Sequence, residues 1–189
     1  MKKIFLMAAM AIIAIAASAQ VEQGFRMGAR VNVGLSNVVA DGDKMTVGYG
    51  LGWIAEYNFN SRLYVQSGVG FENIAHKEDA IDGTINAYFV QLPIHVGYRF
   101  GINDNTALFV QAGPTLGYGI SGSKIEFEGS ESYDYFDLAK RFDLGVGGRV
   151  GVEFSKIQIS AGANYGVLDA FDEVGGHNLS INVGLAYMF

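Results

Sequence analysis

From His177 to Phe189 the residues alternate without a break. Leu179, Ile181, Val183, Leu185, Tyr187 and Phe189 are apolar, and Asn178, Ser180, Asn182, Gly184, Ala186 and Met188 between them are mostly small or polar. A period of two makes this a strand with two different surroundings. The strand finishes on an aromatic residue of its greasy face. That ending suits a transmembrane barrel, whose last strand closes against its first, better than a soluble sheet.

The same alternation recurs along the chain. Seven further strands are predicted at about 23–36, 45–57, 62–74, 85–100, 107–120, 141–154 and 157–167. Pro93 falls inside the fourth, where its missing N–H predicts a bulge or a lost ladder bond. The connections 58–61, 101–106 and 155–156 are short, and those at about 37–44, 75–84, 121–140 and 168–176 are longer. An even strand count with short turns at one end and longer loops at the other is the pattern of an outer-membrane barrel, with short turns and both mature termini on the periplasmic side. The expected fold is all-β: an eight-stranded antiparallel up-and-down transmembrane β-barrel of the outer-membrane type.

The two faces identify the solvents. The outward set (Val31, Leu51, Val69, Val96, Val150 and their like) carries no charge between strand ends. A single Lys or Arg at the middle of a lipid face would cost about 2–4 kcal/mol. Outward aromatics gather at both ends: Phe25, Tyr57, Phe59, Tyr98, Phe100, Phe154, Tyr187 and Phe189 at one, Phe71, Tyr88, Tyr118, Phe142 and Tyr165 toward the other. They read as interfacial girdles. The inward set carries Arg26, Arg30, Arg99 and Arg149 against Glu56, Glu72, Asp143 and Glu153. Eight strands enclose only enough room for side chains, and charges there must pair or be wet. The expectation is a lumen plugged by paired charges, with inward glycines making room for the arginines. A small channel lined by the same charges is the alternative.

Residues 1–19 read as a cleaved secretory signal peptide. Lys2 and Lys3 precede an apolar run from Ile4 to Ala17, and Ala17-Ser18-Ala19 is a small-residue cleavage site. Residues 20–189 are then one barrel domain, exported through the Sec pathway. Of 13 basic residues two fall in this leader, leaving 11 against 19 acidic ones, a net charge of −8. That balance argues against nucleic acid as a partner. With no cysteine there is no disulfide framework and no thiolate metal site.

Two resemblances add to this reading. Asn182, Gly184, Tyr187 and Phe189 stand in an order similar to the C-terminal signal of bacterial outer-membrane barrels. The resemblance implies that the barrel assembly machinery reads them. The stretches YFVQLPIHVGYRF (88–100), FVQAGPTLGY (109–118), RFDLGVGGRVG (141–151) and ANYGVL (163–168) resemble the outer-membrane-protein beta-barrel domain family, whose members include porin-family and PorT-like small barrels. This implies an eight-stranded barrel in the outer membrane of a Gram-negative cell envelope, surrounded by lipid and lipopolysaccharide. It implies no agreed activity, and a fold does not fix one.

Catalytic groups are sparse. His95 faces inward as a lumen residue, and His76 and His177 fall at loop edges as solvated ones. Outer-membrane hydrolases that trim lipid A resemble one another in a His-x-Ser pair; here Glu78, Gly97 and Leu179 take the third positions. No Gly-x-Ser-x-Gly elbow or phosphate-cradling loop is present. Neither an enzyme nor a cofactor is expected. The loops hold most of the carboxylates, a solvated surface or a set of oxygen ligands for divalent cations. The 121–140 loop mixes them with Phe127, Tyr133, Tyr135 and Phe136, which suggests a protein partner there. The expected role is structural or surface-interacting, with a porin-like channel and an accessory of protein export as alternatives.

Overall fold

The computed structural model describes residues 23–39, 44–77, 85–125, 133–170 and 176–189. The leader at 1–19 and most of the loop carboxylates lie outside them. Ten strands form: β1 (Gly24–Val39), β2 (Lys44–Asn58), β3 (Leu63–Lys77), β4 (Ile85–Asn103), β5 (Thr106–Gly122), β6 (Lys124–Ile125), β7 (Tyr133–Asp134), β8 (Phe142–Phe154), β9 (Ile157–Gly166) and β10 (His177–Met188), with a helical turn α1 (Tyr135–Leu138) between β7 and β8. Eight close into a barrel in the order β1-β10-β9-β8-β5-β4-β3-β2, every pair antiparallel. β6 and β7 form a separate two-stranded ribbon in the connection between β5 and β8.

The predicted strands are all present, and most run further than their apolar alternation. Backbone pairing continues where the alternation of polar and apolar side chains has ended: Asn37, Val38 and Val39 still pair with Leu179, Asn178 and His177. The β1–β2 connection is therefore 40–43 rather than 37–44, no longer than the 59–62 turn. The length contrast between the two barrel ends rests on the other three loops. At Pro93 the ladder is interrupted without a bulge. β3 and β4 pair from Leu63↔Tyr98 to Ser67↔Ile94 and resume in the same register at Gly70↔Gln91, skipping the positions across from Pro93 and Leu92.

The short turns carry their own reasons. Asn60 Oδ1 accepts the backbone N–H of both Arg62 and Leu63 at 2.8 Å, closing the β2–β3 turn. Ser155 takes φ 52°, the left-handed conformation that a two-residue hairpin needs.

Burial is inverted relative to a water-soluble protein. Val31, Val96 and Val183 on the outer wall are 56–58% exposed, whereas Glu56 is 0% and Arg99 2% exposed in the lumen. Among the described residues no charged side chain stands on the outward face inside the strand ends. The aromatic ends are visible in space: Tyr57 and Phe59, Tyr98 and Phe100, and Tyr187 and Phe189 form ring pairs 4.9–5.6 Å apart at the short-turn end.

Candidate functional site

The inward faces of all eight barrel strands meet in the lumen, and the predicted charges separate there into three groups. Nearest the short turns, Arg26, Glu56, Arg99 and Glu153 form a closed ring of alternating sign. Arg26 donates Nε to Glu56 at 2.6 Å and grips Glu153 with both terminal nitrogens at 2.8 and 2.9 Å. Arg99 closes the other side, with Nη2 to Glu56 at 2.6 Å and Nε to Glu153 at 2.9 Å. Gln66 Nε2 donates to the Glu56 oxygen that the arginines leave free, at 3.1 Å, and Gln158 Nε2 adds to the Glu153 oxygen that Arg99 holds, at 3.0 Å. Arg99 gives Nη1 to Asn58 at 2.7 Å and lies over the Tyr64 ring at 3.9 Å. A side chain at Gly97 would collide with that ring. Glycine there is what lets tyrosine cross the bore.

Above the ring the second group begins. Arg30 donates to Gln66 at 3.0 Å, Gln111 donates to the same Gln66 oxygen at 3.1 Å, and Tyr64 donates to Gln111 at 3.0 Å. His95 sits in this layer between Gln111 and Thr115, at 3.3 and 3.4 Å, as the expected lumen histidine. Arg149 and Glu72 border one cavity of this layer together with Arg30. The third position, Asp143, stands apart near the long loops. It accepts from Asn178 at 2.9 Å and has none of the four arginines as a hydrogen-bond partner. The four-to-four balance of the sequence is thus one complete quartet, one group with two cations and one anion, and one carboxylate among amides.

The long-loop mouth holds what periodicity did not reveal. Tyr135 and Phe136, expected as exposed partner-binding aromatics, are 2% and 7% exposed. They turn inward and pack with Ile74, Ile85, Ala87, Phe89 and Ala139. Phe136 meets Phe89 edge-on at 5.6 Å and Tyr135 at 5.0 Å. Gly119 and Gly122 leave the space: a side chain at either would strike Phe136 or Tyr135. Arg141 covers Phe136 at 4.8 Å and donates to the Gly119 carbonyl at 3.2 Å. Asp134 and Asp137 make a capping box on α1, so these two carboxylates serve the turn. Phe127 and the remaining acidic residues of this loop lie outside the described residues. His177 is not freely solvated; it stacks on Tyr165 at 5.2 Å, 3.8 Å from Asp169. Among the described residues no three His, Asp or Glu side chains gather as a metal site.

The C-terminal residues lie on the closing seam. Asn182 pairs with Gly34 and Gly184 with Asn32, both facing inward, and Tyr187 pairs with Ala29 on the outer wall. Phe189 N–H donates to the Met27 carbonyl at 2.7 Å, and its ring lies 5.4 Å from Trp53 across the small side chain of Ala29.

A closed ladder of eight strands with an uncharged, apolar exterior and a filled polar lumen defines a transmembrane β-barrel. The chain belongs to the outer membrane protein beta-barrel domain family, which it matches over residues 5–189. Solved structures of the same fold include neisserial surface protein A, at 15% identity and TM-score 0.55 over 88% of this chain and 98% of that one. The attachment invasion locus protein Ail of Yersinia pestis aligns at 20% identity and TM-score 0.51, over 89% and 100%. OprG of Pseudomonas aeruginosa aligns at 13% and 0.50, over 90% and 99%. At these identities the likeness is one of fold. No curated protein matches the chain. The protein is an outer-membrane β-barrel.

Proposed function

We propose that this barrel is a structural and surface-interacting component of the outer membrane rather than a channel. The observation that carries the reading is the quartet of Arg26, Glu56, Arg99 and Glu153, which joins β1, β2, β4 and β8 across the bore. Opening a path would break several charge-assisted hydrogen bonds at once, each about 1.5–3 kcal/mol. At the opposite mouth Tyr135 and Phe136 fill the bore with apolar surface. Reconstitution in planar bilayers tests this. The purified barrel should give no steady conductance above the bare membrane, and sustained opening would favour the channel reading.

The same proposal covers the chain's route and contacts. Residues 1–19 are removed on export through the Sec pathway, leaving 20–189 as one domain. Asn182, Gly184, Tyr187 and Phe189 serve the barrel assembly machinery. The partner surface narrows, because Tyr135 and Phe136 are spent inside; a protein contact in the 121–140 loop would use Phe127 and Tyr133 with Glu126, Glu128 and Glu131.

A further inference from the structure

The lumen charges balance in the sequence and not in space. The quartet removes two arginines and two glutamates from the count, and Asp143 is held by Asn178 near the long-loop end. What remains at mid-barrel is Arg30 and Arg149 against the single carboxylate Glu72. Neither is saturated: Arg30 Nε and Arg149 Nη1 are buried and have no hydrogen-bond partner. Arg30 is only 8% exposed, and among the described residues its one side-chain hydrogen bond goes to Gln66. Both arginines line one cavity of about 40 Å³, with Glu72, Gln66, Gln91 and Asn32 among its other walls.

Each of these facts asks for the same occupant. A water needs about 10–15 Å³ of such space, so the cavity has room for more than one, or for one monatomic ion. A buried cation without its counter-charge is costly, and unused guanidinium N–H groups add to that cost. Water satisfies the donors and leaves the charge; a cation would worsen it. A monovalent anion accepts from both arginines and cancels the one excess charge left after Glu72. A divalent oxyanion over-compensates the one excess charge. We propose that the cavity between Arg30 and Arg149 binds a single monovalent anion of the halide class, held by Arg30 Nε and Arg149 Nη1 and limited to one charge by Glu72. This site is independent of whether the barrel conducts, since it needs only a folded lumen.

The test uses the full mature barrel folded into detergent micelles in chloride, bromide or gluconate at equal ionic strength. Crystals grown in bromide should show an anomalous peak between the two guanidiniums. The thermal midpoint should rise with halide and not with gluconate, by about 3–6 °C for each tenfold of halide above the dissociation constant. Arg149→Gln should abolish the halide response, and Glu72→Gln, which removes the competing carboxylate, should move it to lower halide. A wild-type cavity with water density and no bromide peak overturns the site. So does a halide response that is unchanged in Arg149→Gln, or one that Glu72→Gln weakens. Should Arg149→Gln fail to fold, the wild-type bromide map and the Glu72→Gln shift still decide.

Discussion

Arg99 and Arg26 make the same kind of contact with the same two glutamates, yet they should not be equally important. Arg99 is 2% exposed and also carries the Asn58 hydrogen bond and the Tyr64 ring; Arg26 is 14% exposed at the mouth. Removing Arg99 leaves Glu56 and Glu153 to share Arg26 alone and takes the partner from Asn58 and Tyr64, all at the drier side of the ring, at a cost of about 3–5 kcal/mol. Removing Arg26 leaves Glu153 nearer solvent and Arg99 in place, at a cost of about 1.5–3 kcal/mol. Urea unfolding of the refolded barrel should therefore place Arg99→Ala well below Arg26→Ala in midpoint, with Arg26→Ala below wild type. Equal midpoints would show that the mouth is as dry as the interior. In a cycle with Glu153→Gln, the Arg99→Gln effect should shrink, because the two side chains share one bond network.

At the scale of elements, the inserted segment β6–β7–α1 behaves as a cap whose seat is a pair of glycines. Gly119→Val puts methyl groups where the Phe136 ring lies. The ring is the far end of a flexible side chain, so the cap should lift while the β5 ladder with β4 and β8 holds. Limited proteolysis reads this directly: chymotrypsin should cut after Tyr135 or Phe136 in Gly119→Val and spare those sites in the wild type, with the barrel core intact in both. An identical digest would mean that the cap is not held by that seat. This segment is also where the sequence was least legible. The barrel strands announce themselves because lipid outside and side chains inside impose a period of two over a dozen residues, as in β10. Four helical residues in an acidic stretch carry no period, so Tyr135 and Phe136 read as loop aromatics. The clues were indirect: Asp134 and Asp137 at capping-box spacing, and inward glycines at 119 and, beyond the strand's regular alternation, at 122. Phe89 and Phe109 take inward positions of β4 and β5 and are buried there, although an aromatic side chain gives no sign in the sequence of facing a polar lumen. The identity of the lumen charges was readable, but their grouping was not. Arg26 meets Glu153 across 127 residues of chain, and the depth at which each charge sits depends on the stagger of the closed sheet, which no single strand displays.

On the scale of the whole molecule, the closing seam and the proposed assembly signal meet at Phe189. The seam between β1 and β10 runs from Gly28↔Met188 to Val39↔His177, a ladder of backbone bonds that does not depend on the Phe189 side chain. That side chain is 56% exposed and touches Trp53 and Tyr187 on the outer wall. The Phe189 backbone N–H, which any residue but proline retains, supplies the bond to Met27. Phe189→Ala should therefore fold in micelles almost as the wild type does, losing about 0.5–1.5 kcal/mol of aromatic contact and keeping the compact band of an unboiled barrel on a gel. In cells the same variant should show a lowered level of folded barrel in outer-membrane fractions, as the proposed role of Phe189 in the assembly signal requires. Equal loss in both settings would reduce Phe189 to a girdle residue, and full assembly in cells would remove it from the assembly signal. The in-vitro arm matters because a barrel that could not close would give the same deficit in cells for a different reason.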